Sequence, residues 1–128
     1  LIGLEMYFSH LSFQLINSCV LNTLDKLSIW RLKHYHIFIS ISKYNELDTS
    51  SIINKLKSEK KIRIVPKISN NELVHIAIND QTEFSINEYG IKEPNNANHF
   101  IIENLDLIFI HQIKSKKKVL HIMVLEDN

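Results

Sequence analysis

The stretch from residue 34 to residue 66 constrains the fold more than any other part of the chain. It opens on His34-Tyr-His-Ile-Phe-Ile-Ser40, rich in aromatic and β-branched residues and apolar across its second half. That is the pattern of a strand covered on both faces. Asp48 or Thr49 then stands where a helix needs a cap for its unpaired N–H groups, and Ile52, Ile53 and Leu56 provide that helix with a buried stripe. Lys61 to Val65 reads as a second strand, stopped at Pro66, which has no N–H to donate to a ladder. Strand, helix and strand at this spacing make a βαβ unit, which implies parallel neighbours and a right-handed crossover.

The rest of the chain extends this unit. Leu11, Leu15, Cys19, Leu24 and Leu27 recur at near-helical spacing, so a helix is expected over 11–27, followed by a turn at Arg31 to Lys33. Glu72 to Ile78 reads as a strand after a turn at Ser69-Asn-Asn71. Tyr89 to Pro94, continued by Asn95 to Asn98, reads as a connecting loop. Asp106-Leu-Ile-Phe-Ile110 is a short apolar strand, and Val119 to Leu125 is a last apolar run. The expected architecture is a three-layer α/β domain, with a central mainly parallel or mixed sheet and helices on both faces. Its 128 residues suit one domain.

Composition narrows the function. The chain has two glycines, Gly3 and Gly90, where about nine would be usual, so neither GxxxxGK[ST] nor GxGxxG is complete anywhere. A net charge of +1 gives no global attraction to nucleic acid or to an anionic membrane, and no apolar run approaches the roughly 20 residues that span a bilayer. The lone Cys19 and the absence of signal-peptide features over Leu1 to Leu15 point to a reducing, cytoplasmic compartment. Among seven histidines, His34 and His36 share a strand face, but His75, His99, His111 and His121 show no ligand spacing, so no metal site is expected. The lysine run at 114–118 reads as a solvated patch, since no aromatic platform interleaves it.

Glu46 lies between the first strand and its helix, in Lys43-Tyr-Asn-Glu-Leu-Asp-Thr49. Open α/β sheets bind ligands at that place, although on position alone Glu46 reads as an exposed loop carboxylate. A wider pattern changes its weight. His36-Ile-Phe-Ile-Ser-Ile41, Glu46-Leu-Asp-Thr49, Ile64-Val-Pro-Lys67, Tyr89-Gly-Ile-Lys-Glu-Pro94 and Asp106-Leu-Ile-Phe-Ile110, in that order, resemble the 5-formyltetrahydrofolate cyclo-ligase family, also called 5,10-methenyltetrahydrofolate synthetase. The resemblance covers roughly Phe13 to Ile113.

The resemblance implies a reaction. ATP, with Mg2+, phosphorylates the formyl oxygen of 5-formyltetrahydrofolate, N10 attacks the activated carbon, and phosphate leaves to give 5,10-methenyltetrahydrofolate. It also implies substrate-binding roles. Glu46 matches the carboxylate that contacts the folate, Ile39 an apolar contact on the preceding strand, and Tyr89 an aromatic position suited to packing on the pterin or its linker. Phe38 and Ile41 fit core or pocket wall. The implied protein is a cytoplasmic enzyme of one-carbon metabolism that takes a small-molecule substrate, acts as a monomer and binds neither nucleic acid nor membrane.

Two segments depart from the family pattern. Its basic N-terminal K-x-x-x-R helix has no counterpart in Leu1 to Ser12, which contains no lysine or arginine. Its glycine-rich ATP loop and magnesium aspartate have no counterpart in His111 to Asn128. The expectation is therefore an incomplete cyclo-ligase-like domain over 1–128 with its C-terminal part missing, and a divergent tail over 114–128 produced by a frameshift near the lysine run. The alternative function is a catalytically inactive truncated remnant, with at most folate binding or an interaction role.

Overall fold

The computed structural model of the chain describes residues 2–8, 21–39, 49–96, 98–100, 102–114 and 117–125. Its strands are β1 (Ile2–Phe8), β2 (His34–His36), β3 (Ile62–Ser69), β4 (Glu72–Ile78), β5 (Phe84–Ile86), β6 (Lys92–Pro94), β7 (Leu107–Lys114) and β8 (Lys117–Val124). Helix α1 covers Ser50–Ser58. Six strands form one sheet in the order β1-β8-β7-β2-β3-β4, and β5 and β6 form a separate two-stranded ribbon. β2 runs parallel to both neighbours, β3 and β7, while the other pairings in the sheet are antiparallel. The protein is α/β, and its mixed sheet has its parallel character concentrated at β2.

The βαβ unit is present: β2 leads through α1 to β3, with His34 opposite Ile62 and His36 opposite Ile64. Both of its strands nonetheless end differently from the sequence pattern, for one reason. Ile62 N–H donates to Lys33 O and Ile37 N–H to Ile64 O, each at 2.9 Å, so the even-numbered residues of β3 turn their backbone groups toward β2. The next residue in that series is Pro66, which has no N–H, and there the β2–β3 ladder stops. The odd-numbered residues turn toward β4, where pairing runs unbroken from Arg63–Ile78 to Ser69–Glu72. Pro66 therefore ends the ladder on one side and leaves β3 intact through Ser69, rather than ending the strand. β2 stops at His36, short of the expected Ser40.

Other elements follow local chemistry. The β3–β4 connection is a two-residue turn in which Asn70 and Asn71 have φ of 51° and 64°, the left-handed pair of a type I′ hairpin that asparagine tolerates. Thr49 occupies the N-cap position of α1 but does not cap it; its Oγ1 donates to Phe38 O at 2.9 Å, tying the helix start to the end of β2. Asp48, the other expected cap, lies outside the described residues. Of the expected helix over 11–27, residues 21–25 are helical and 11–20 lie outside the described residues. The stretch expected to be a loop at 89–94 contains β6, paired in register with β5 from Phe84–Pro94 to Ile86–Lys92. Residues 117–124, in the region set apart as a tail, form β8 between β1 and β7.

One face of the sheet carries the core. Tyr35 and Ile37 from the β2 segment, Val65 from β3, Leu107 and Phe109 from β7, and Leu120 and Ile122 from β8 pack with Ile52 and Leu56 of α1. Leu24, Ile29 and Leu32 complete that cluster. Ile53 is only half-buried, so the helix stripe is narrower than its sequence suggests. The Tyr35 hydroxyl donates to Ile29 O within this core, and burial pushes its pKa up to about 12.

Candidate functional site

Where β2 leaves the sheet, a cleft of about 360 Å³ opens between α1, the far ends of β3 and β4, and the β5–β6 ribbon. Ile39 lines it. Helical spacing brings Ser50, Ile53, Asn54 and Lys57 to one side of α1, and all four face the same cleft. Across from them, Arg63 of β3 donates through Nη2 to Asp80 Oδ1 at 3.1 Å, and Lys57 Nζ stands 3.6 Å from the same oxygen. The ribbon contributes Phe84 and Lys92, with the Lys92 ammonium 5.1 Å from the Phe84 ring centre.

The ribbon's tip is built on Asn87. Its N–H donates to Ile91 O at 2.8 Å, and its Oδ1 accepts the N–H groups of Tyr89 and Ile91, both at 2.9 Å. Gly90 closes the turn at φ 78°, a conformation open to glycine and costly for most other residues. Tyr89 is thereby held at the tip, 56% exposed and outside the lining of the cleft, whereas Ile39 is in it. Glu46, the third expected substrate contact, lies outside the described residues, as does Ile41. Phe38 is half-buried and packs against the core.

Two residues that position the ribbon carry no local signal of their role. Glu93 is buried, and its Oε2 accepts the N–H of Ile68 at 2.7 Å, the next β2-facing donor on β3 beyond Pro66. Lys67 Nζ donates to Pro94 O at 2.7 Å. Together these bonds clamp the ribbon to the end of β3. The hints in the sequence are the paired fragments Pro66-Lys67 and Glu93-Pro94, which recur in the two motifs quoted above. Replacing Glu93 by alanine strips the acceptor from a backbone donor, and the expected loss is about 1–3 kcal/mol of unfolding free energy in urea titrations. Glu93→Gln, which keeps an acceptor, is expected to lose less than half of that.

The histidines form two separate pairs. His34 Nδ1 lies 3.1 Å from Asp106 Oδ2, which also accepts the N–H groups of His34 at 2.9 Å and Lys33 at 3.2 Å. Burial alone would raise the Asp106 carboxyl, but these bonds outweigh it and hold the group below the usual carboxylate range. His36 Nε2 lies 3.0 Å from His75 Nδ1. Burial, helped by the charge of His75, lowers His36 to about 4. Among the described residues, no group of three or more His, Cys, Asp or Glu side chains could hold a metal ion.

Gly3 sits in β1 opposite Met123, and Gly90 is spent on the ribbon turn. Neither glycine is therefore free to build the phosphate cradle that the resemblance implies. The lysine side chains of 114–118 lie outside the described residues. Among those described, no helix is long and apolar enough to cross a membrane.

No family model and no curated protein matches this chain. Comparison with solved structures finds the NMR structure of Aquifex aeolicus 5,10-methenyltetrahydrofolate synthetase, with a TM-score of 0.64 and 22% sequence identity. The match covers 77% of this chain and 51% of that one, so this chain spans about half the length of the synthetase it resembles. With its mixed sheet centred on β2 and its βαβ unit, the chain has the α/β fold of 5,10-methenyltetrahydrofolate synthetase.

Proposed function

We propose that the chain is a single domain of the 5-formyltetrahydrofolate cyclo-ligase family and that its cleft holds 5-formyltetrahydrofolate for conversion to 5,10-methenyltetrahydrofolate. The observation that carries this reading is the position of Ile39. It stands where β2 leaves a sheet of that fold, in a cleft whose opposite wall is the ribbon bearing Tyr89. Ligands of open α/β sheets lie at such strand ends. In this reading Ile39 forms an apolar wall, Tyr89 packs on the pterin or its linker, and Glu46 orients the reacting end of the substrate. The reaction belongs to cytoplasmic one-carbon metabolism, and the working unit is a monomer.

In the family reaction ATP with Mg2+ activates the formyl oxygen. That step needs a phosphate cradle that neither Gly3 nor Gly90 builds, so the part assigned to this chain is to bind and orient the folate. A second reading, binding without turnover, is favoured by the same placement of Gly3 and Gly90 in a strand and a turn.

Equilibrium titration with 5-formyltetrahydrofolate, run beside an absorbance assay for methenyltetrahydrofolate with ATP and magnesium, separates these readings. Saturable binding is expected, weakened about 3–10-fold by Tyr89→Ala, the size of one lost aromatic contact. Turnover comparable to that of a complete homologue establishes the cyclo-ligase, and binding without turnover establishes the second reading. A folded sample that binds no 5-formyltetrahydrofolate overturns both.

A further inference from the structure

The cleft beside β2 is charged unevenly. At one end Ile39, Ile53 and Phe84 make an apolar wall, while Lys57, Arg63 and Lys92 face it with the single carboxylate of Asp80, an excess of two positive charges among the lining residues. One oxygen of Asp80 serves both Arg63 and Lys57. The Arg63 side chain is only 11% exposed, and its Nε–H is buried without a hydrogen-bond partner. A desolvated guanidinium donor left unmade costs free energy until an acceptor reaches it. If the Arg63–Asp80–Lys57 contacts served only to fasten the 79–83 turn to α1, they would leave that donor unexplained.

We propose that this cleft binds an amphipathic anion, with a planar or apolar body against Ile39, Ile53 and Phe84 and carboxylate or phosphate oxygens at Lys57, Arg63 and Lys92. The folate reading names the body, and to that extent the inference rests on it. The charge excess and the unpartnered Arg63 donor stand without it. The ligand class that fits both ends is an aromatic ring joined to an acidic tail. The tail lies along α1, from the Ile53 turn toward Lys57, with one oxygen accepting from Arg63 Nε. Arg63 is a binding residue in this scheme, and Asp80 keeps its guanidinium plane turned toward the cleft.

The test uses the full chain labelled with 15N at low salt and follows the Arg63 Nε–H resonance during titration. Three probes are compared: p-aminobenzoylglutamate, its uncharged diamide, and tripolyphosphate. The dicarboxylate is expected to shift the Arg63 signal saturably, and the diamide to leave it in place. Lys57→Gln/Lys92→Gln changes two surface side chains, the first of them 55% exposed, and its fold is checked by the amide spectrum. In that variant the dicarboxylate affinity is expected to fall about 5-fold, the sum of two modest ion contacts.

Tighter, lysine-dependent binding of tripolyphosphate supports the anion site and identifies phosphate as its occupant. The proposal is overturned if neither anion moves the Arg63 signal, or if the double variant binds them as the wild type does. The folate reading is scored separately. Equal binding of 5-formyltetrahydrofolate by both proteins would keep that reading and discard the anion site. Anion-dependent shifts at Arg63, without any folate binding, would do the reverse.

Discussion

Truncating Phe109 to alanine is expected to lower the free energy of unfolding by about 3–5 kcal/mol, the range for deleting a buried aromatic ring. Phe109 is 1% exposed and sits on β7 opposite Ile122 of β8. It belongs to the cluster that joins Tyr35, Leu107 and Leu120 to Ile52 and Leu56 of α1. The void would open where β2, β7, β8 and the helix meet, and a site walled by regular sheet on one side relaxes poorly. Domains of this size are typically stable by only about 5–15 kcal/mol, so the variant would be close to unfolding. Urea titration monitored by circular dichroism measures the change. Phe109→Leu, which keeps most of the volume, should lose no more than about 1.5 kcal/mol. A loss below 1 kcal/mol for alanine would mean that β7 does not pack as described.

Acidification should be the second large effect. His36 is held near pKa 4 in the folded protein by burial and by the neighbouring His75, against about 6.5 in an unfolded chain. Between those values the unfolded state binds the proton that the folded state refuses, so stability falls as pH drops from 6.5 toward 4. Above pH 7 this group contributes no pH dependence. The expected loss across the window is about 2–3 kcal/mol. Asp106 acts at the acid end. Its carboxyl lies below the usual range when folded, so the stability it adds is complete above its unfolded pKa and disappears as pH falls through its folded one. Unfolding free energies measured from pH 7.5 to 4 should show the slope, and His36→Leu should flatten it. An unchanged slope in that variant would assign the effect to other groups.

The sequence pattern was most legible where it has a clear period. β4 occupies the residues assigned to it, Glu72–Ile78, and the two asparagines before it form the expected turn. The parallel pairing of β2 and β3 follows from two apolar runs separated by one helix. Pro66 was misread because a proline's missing N–H matters on one edge of a strand, and single-chain patterning does not say which edge faces which neighbour. The β5–β6 ribbon escaped because three-residue strands are too short to show alternation. The role of Glu93 is not legible locally, since its partner, the Ile68 N–H, lies 25 residues earlier in the chain.

The site divides in the same way. Of the residues the motifs singled out, Ile39 lines the cleft, while Tyr89 stands at the tip of the ribbon, outside its lining. Arg63 and Lys57 lie in no motif, and Lys92 lies in the Tyr89–Pro94 motif with no role attached to it. Their convergence depends on α1 lying over β3 and on the ribbon folding back, both products of tertiary packing. Histidine spacing alone does not name the partners. His34 and His36 share a strand face, but His34 meets the Asp106 carboxylate and His36 a second histidine, His75.

The one-sided ladder at Pro66 has a topological consequence. A sheet whose middle strand keeps bonding on its left edge while it falls silent on its right must fork there, and the released chain has to travel away from the plane. The fork is where Ile37 to Ile39 depart and where the Glu93 carboxylate enters to occupy the vacated edge. A single imino acid thus acts as a splitter: it leaves one edge of β3 without its β2 partner, and a side chain from the distant ribbon takes over the backbone donor that the departing strand no longer serves.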